Sequence, residues 1–144
     1  MSNKKYTRTA MILEKLRRDC FVEGSQKTLP EGIYFGGFDG QRRGFGYMEY
    51  NSGDRYIGQW KNDMMDGEGV FYRKAKNANF YGMFDKNSAA TGMLYTGDKG
   101  DGFEIDFRSD LSYVGDDYFW NKAITLQNNT KTQDQHDNDY FSFF

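Results

Sequence analysis

The chain holds a single cysteine, a single proline and a single histidine in 144 residues, and each scarcity removes a class of protein. With Cys20 alone, neither an internal disulfide nor a cysteine-built zinc site can be assembled, and a reducing compartment is expected. His136 sits in the polar tract 127–139, remote from any candidate nucleophile, so a histidine-based triad or general base is not expected. No apolar run approaches the ~20 residues that span a bilayer. Residues 1–8 are polar and basic, and the short apolar stretch after them is broken by Glu14 and Lys15, too short for the core of a signal peptide. These features predict a soluble, cytoplasmic protein. Nineteen basic against 21 acidic side chains leave a formal net charge of −2, which offers nucleic acid no long-range attraction.

What the chain does hold is aromatic side chains, at 18%, and 17 glycines, within an apolar fraction of only 38%. That mixture suits strands and tight turns better than helix bundles. Residues 7–22 are the exception and read as a helix. Thr7 or Thr9 is its N-cap, Gly24 lies beyond its end, and Leu13, Leu16 and Cys20 share one face with Ile12 beside them. A polar connector, 23–31, carries Pro30. Residues 1–31 are thus expected as helix and connector, 32–107 as a repeat region, and 108–144 as an extension ending in aromatics.

The repeat region shows self-similarity. Segments 34–55, 56–79 and 80–102 open with Tyr34, Tyr56 and Phe80, each followed two residues later by Gly36, Gly58 or Gly82 and four later by Phe38, Trp60 or Phe84. Downstream, Gly46, Gly69 and Gly92 recur, preceded by Gly44, Gly67 and Ala90. Side chains two apart on a strand share a face, so each aromatic, its glycine and the next aromatic point one way. Residues 61–66 read as a hairpin connection. Glycine leaves bare backbone on which a neighbouring ring can lie flat, so consecutive hairpins are expected to stack their rings into a ladder.

The pattern Y-x-G-x-W, a polar turn, G-x-G and the next Y-x-G resembles the MORN repeat family. Tyr56, Gly58, Trp60, Gly67 and Gly69 fit it position for position, and the first copy departs only in Phe38. The third copy has Ala90 in a glycine place and Phe80 and Phe84 for Tyr and Trp. A degenerate fourth copy begins at Phe103, with Ile105 where glycine belongs and Phe107 in the Trp place. The resemblance implies an elongated, single-layer antiparallel sheet of tandem hairpins, here accompanied by one N-terminal helix. It also implies a non-enzymatic scaffold for protein–protein interaction, without cofactor or metal, as a structural subunit of a larger cytoskeletal assembly. Its closest comparison is with proteins of cilia and flagella, including the radial spokes of the axoneme.

For the interaction surface the sequence points to the ladder Tyr34, Phe38, Tyr56, Trp60, Phe80 and Phe84. The terminal Tyr140, Phe141, Phe143 and Phe144 read either as an anchor for a partner's groove or as a fold-back onto the chain's own sheet. The alternative function is a peripheral membrane module. It would hold anionic phospholipids through Arg73, Lys74 and Lys76 in one inter-hairpin loop, with Arg42 and Arg43 as further candidates. The stretch 98–106 lacks the oxygen ligands of a calcium loop and the trailing Lys-Ser/Thr of a phosphate loop, so its glycines read as turn residues. Asp106, Asp110, Asp116 and Asp117 have no positioned partner acid and read as a solvated acidic loop.

Overall fold

The computed structural model describes residues 14–15, 17–18, 25–97 and 102–130. The strands β1 (Ser25–Leu29), β2 (Gly32–Phe38), β3 (Arg42–Tyr50), β4 (Arg55–Lys61), β5 (Met64–Arg73), β6 (Ala78–Asp85), β7 (Ser88–Thr96) and β8 (Phe103–Asp106) form one open sheet. Each is antiparallel to the next and placed in sequence order. A short β9 (Ser112–Tyr113) pairs with Ser88 and Ala89 of β7, on the edge that β8 occupies further along. The mainly β, single-sheet architecture expected from the repeats is therefore present.

Register explains the glycine spacing. Gly36 pairs with Gly46, Gly46 with Gly58, Gly58 with Gly69, Gly69 with Gly82 and Gly82 with Gly92. A bare line thus crosses six strands, and it ends where Gly92 meets Ile105. In each copy the ladder shifts register between this glycine and the following aromatic, at 36/38, 58/60 and 82/84. A bulge leaves a residue outside the regular pairing. The opening tyrosine answers it, since the Tyr34 hydroxyl donates to the Gly37 carbonyl at 2.7 Å and the Tyr56 hydroxyl to the Gln59 carbonyl at 2.9 Å. Phe80, having no hydroxyl, leaves the third copy without this bond.

The turns repeat as well. Asn62–Asp63 and Lys86–Asn87 are two-residue connections with φ of 52°, 69°, 50° and 69°, the doubly left-handed geometry whose twist suits a hairpin. The connection is shorter than the expected 61–66. Met64 and Met65 already belong to β5, and Met65 is buried. The second turn residue fastens one hairpin to the one before it. Asp63 accepts the Arg42 amide at 3.0 Å while its own amide donates to Arg42 O, and Asn87 does the same with Met65.

The sheet is curled. Seven residues separate the level of Glu31 from that of Arg42, roughly 23 Å along a flat strand, yet the Arg42 guanidinium lies 3.2 Å from the Glu31 carboxylate. The face carrying the glycine line is thus concave, a trough whose two rims approach each other.

Two elements depart from expectation. The helix that fills the trough is α1 (Asp117–Thr130), in the segment read as an extension rather than in the N-terminal segment where the one helix was expected. Of that segment, Glu14, Lys15, Arg17 and Arg18 are helical and exposed, and the rest lies outside the described residues. The Asp116 side chain caps α1 by accepting the Tyr118 amide at 3.0 Å, and Asp117 in the first turn suits the helix dipole. Phe119, Trp120 and Ala123 are buried in the trough, and Ile124 packs beside them. The second departure is β1, which occupies most of the polar connector. SQKTL carries little strand signal of its own, and it is the exposed edge of β2 that recruits it.

Candidate interaction faces

The six ladder aromatics do share the trough face and form one chain of rings. Phe38 meets Tyr34 at 6.3 Å, and edge-to-face contacts then run from Tyr34 to Trp60 (5.6 Å), Trp60 to Tyr56 (5.2 Å), Tyr56 to Phe84 (5.1 Å) and Phe84 to Phe80 (6.1 Å). The helix extends the chain through Phe119 (5.0 Å from Phe80) and Trp120 to Phe71 and Tyr50. Each such pair contributes about 0.5–1.5 kcal/mol beyond burial. All six except Phe38 are buried, none more than 4% exposed. The ladder is therefore the core that holds the hairpins together, and a partner can reach little of it beyond Phe38. The repeat glycines Gly36, Gly46, Gly58, Gly69, Gly82 and Gly92 serve this core. At Gly46 and Gly69 a β-carbon would fall inside the rings of Tyr34 and Tyr56 respectively, and at Gly92 against the Phe80 ring. Gly44 and Gly67 stand at left-handed φ of 67° and 104° beside the bulges.

The opposite face carries an apolar row of its own. Its cross-strand row runs Phe35, Tyr47, Ile57, Val70, Tyr81 and Met93, each paired with the next. Ile57 and Val70 are buried while Phe35, Tyr47, Tyr81 and Met93 are partly covered. Flanking them, Ile33 is 44% and Met83 63% exposed. Lys15 approaches this face: its ammonium lies over the Phe45 ring at 5.4 Å and 3.7 Å from Glu68, whose other oxygen accepts the Tyr81 hydroxyl at 2.6 Å. Burial raises the Tyr47 phenol above its ordinary pKa. The signal was present in the sequence, because YFGGF, GYM, YIG, GVFY and FYGMF are apolar at both parities, and only one parity is needed for the ladder.

The basic loop is a fastening. Lys74–Lys76 form one 3-10 turn after β5. The Arg73 guanidinium donates to Asp54 at 2.8 Å, to Asp117 at 2.9 Å and to the Gly115 carbonyl at 2.9 Å, and Lys76 lies 4.0 Å from Asp117. The second Asp54 oxygen accepts the Lys74 amide at 2.9 Å. This network ties the start of α1 to the rim between the second and third hairpins. The Arg73 side chain is only 14% exposed, and of the three basic residues Lys74 alone is exposed. Arg42 is likewise internal. It stacks 4.5 Å over Trp60, donates to Asp63 at 2.7 Å and pairs with Glu31. Burial by itself would lower the Arg42 guanidinium, but the hydrogen bond and charge of Asp63, with Tyr50 and Glu31, outweigh it and raise the pKa. The same hydrogen bond holds the Asp63 carboxyl below its usual range. Arg43 remains exposed, 3.8 Å from Asp39.

The remaining carboxylates have structural partners. Asp106 binds Thr91 and the Arg108 amide, Asp110 binds Lys122, Asp116 caps α1, and Asp117 holds Arg73. No three His, Cys, Asp or Glu side chains cluster as metal ligands among the described residues, and no helix among them is long and apolar enough to cross a membrane. His136, the stretch 98–101 and the terminal Tyr140, Phe141, Phe143 and Phe144 lie outside the described residues. In the degenerate fourth copy, Ile105 fills the glycine line and is fully buried, and Phe107 meets Phe119 edge-on at 6.1 Å. Its second strand does not form beside β8, because β9 returns to β7 instead.

The MORN repeat family model matches residues 38–55 and 56–75, the copies with the most complete tyrosine–glycine pattern. The β6–β7 hairpin beyond the match repeats the same glycine pairing and bulge. MORN repeats are non-enzymatic modules for interaction with proteins or membrane lipids. No curated protein matches the chain.

Proposed function

We propose that the chain is a protein–protein interaction scaffold, a non-enzymatic structural subunit of a larger cytoplasmic, cytoskeletal assembly, with the ciliary axoneme and its radial spokes as the setting the repeats bring to mind. One observation carries this reading: the sheet fills its trough with its own rings and α1, yet keeps a second apolar row with Met83 and Ile33 exposed on the other face. Apolar side chains left on a face outside the core are where a partner can add contact. Affinity purification of the full chain and of its Ile33→Glu/Met83→Glu variant, followed by mass spectrometry and immunolocalisation, tests it. Recovery of stoichiometric partners by the wild type and their loss in the variant, at unchanged melting temperature, is expected; recovery of none, or of the same partners by both, refutes it.

The lipid reading is less well supported, because Arg73 and Lys76 already face Asp117. Flotation with phosphoinositide vesicles decides it. Salt-sensitive binding abolished by Lys74→Glu would favour the membrane over a protein partner.

A further inference from the structure

The second face of the sheet is dry at its centre and wet at its margins. Val70 and Ile57, in the middle of the apolar row, are 0% and 3% exposed, whereas Ile33 and Met83 beside the row stand in water. A side chain rising from an open sheet face keeps surface in contact with solvent unless a second layer lies on it. The described members of this cluster all belong to strands of the sheet itself, and α1 lies in the trough on the other side.

Two basic residues identify the covering layer. Lys15 holds its ammonium over the Phe45 ring and beside Glu68, the carboxylate that also accepts the Tyr81 hydroxyl. Burial raises the Tyr47 phenol, and the charges of Arg55 and Arg17 oppose that rise, so Arg17 too stands near the row. Glu14, Lys15, Arg17 and Arg18 are helical, and all four are exposed. At about 100° per residue they occupy one side of a helix, and the opposite side is where Leu13, Leu16 and Cys20 fall, with Ile12 beside them. The segment therefore brings an apolar stripe with basic margins to a face that offers apolar side chains and the Glu68 carboxylate.

We infer that residues 12–20 lie across this row and seal it with Ile12, Leu13, Leu16 and Cys20, so that the chain closes its own second face and leaves only the Ile33 and Met83 ends open. A partner that uses the whole row has to displace the segment. The self-cover goes beyond the interaction-scaffold reading and does not depend on it, whereas the competition with a partner does.

Cys20 is the only thiol in the chain and serves as the reporter. In the full chain its alkylation by iodoacetamide should run about tenfold slower than in the full-length Leu13→Glu/Leu16→Glu variant, whose strands and trough are untouched. Unchanged α1 amide shifts check that the variant is folded. A capped peptide of residues 7–22 added to the ¹⁵N-labelled variant should shift the amides of Tyr47, Ile57 and Val70, and it should bind the wild type about tenfold more weakly because there the seat is taken. Equal alkylation rates, no binding of the peptide to the variant, or equal binding to both chains overturns the inference. Protection of Cys20 that grows with protein concentration also overturns it, assigning the face to the stripe of a second copy. In affinity purification the variant should recover more of a partner than the wild type does; equal or lower recovery refutes the competition. Should neither chain recover a partner while the peptide binds as expected, the scaffold reading falls and the self-cover stands.

Discussion

Gly69→Ala isolates the device on which the sheet depends. Gly69 does not have a left-handed φ, so alanine meets no backbone penalty there, and the whole cost comes from the Tyr56 ring. That ring lies where the new methyl would be, and it cannot tilt away freely because Trp60 and Phe84 hold it edge-on at 5.2 and 5.1 Å and its hydroxyl is bound to Gln59 O. Overpacking of this kind costs about 1–3 kcal/mol, and loss of the hydroxyl bond adds about 1 kcal/mol. The smaller entropy of the alanine-bearing unfolded chain returns about 0.4–1 kcal/mol. The net destabilisation should be about 2–3 kcal/mol, which at about 2–4 °C per kcal/mol lowers the melting temperature by about 5–10 °C. Thermal and urea melts read it directly. A double-mutant cycle sharpens it: in a Tyr56→Ala background the added methyl meets no ring, and Gly69→Ala should become neutral or slightly stabilising. Melting within 2 °C of wild type in the single variant, or the same drop in both backgrounds, would show that ring and glycine do not interlock.

Trp60→Ala removes the ring between Tyr34 and Tyr56, the platform beneath Arg42 and the indole bond to Gly46 O at 3.1 Å; a loss of about 3–5 kcal/mol is expected in denaturant melts. Arg73→Met frees Asp54, whose side chain is only 9% exposed, and detaches the start of α1. Hydrogen exchange across 117–130 should accelerate well beyond that of β3 and β4, and uniform acceleration would count against a local clamp. Acid should weaken the fold through Asp63. Its folded pKa lies below the unfolded value, so the native state releases a proton that the unfolded chain retains, and stability is lost as pH falls through the depressed folded pKa. Urea midpoints followed from about pH 5 to about pH 2 should fall, and Asp63→Asn should flatten that limb.

Much of the sheet could be read from residues alone because its determinants are local and recurrent. A glycine two residues after an aromatic must share its face, and spacings near 23 residues bring those glycines into cross-strand register without further information. What could not be read depends on contacts distant in sequence. Asp116 and Asp117 resemble an acidic loop until Arg73, 44 residues before Asp117, is found beside them; only then does the stripe Phe119, Trp120, Ala123 and Ile124 stand out as a helix face. Arg42 looks like surface charge in QRRGFG, and its burial follows from the trough's curl, which brings Glu31 and Trp60 to it. The ladder positions were legible but their use was not. One-dimensional periodicity says which side chains share a face, whereas their enclosure depends on curvature and on what α1 covers.

The fastening of each turn to its predecessor makes the array modular. Because Asp63 and Asn87 each clasp an amide at the start of the previous hairpin's second strand, Arg42 and Met65 respectively, a duplicated copy of residues 56–79 would arrive with its own latch and could be spliced into the middle without redesigning its neighbours. The far end admits no such growth. Ile105 closes the bare line and Val114 bonds to the last turn's carbonyl at Asn87, so lengthening there would have to begin by evicting a side chain.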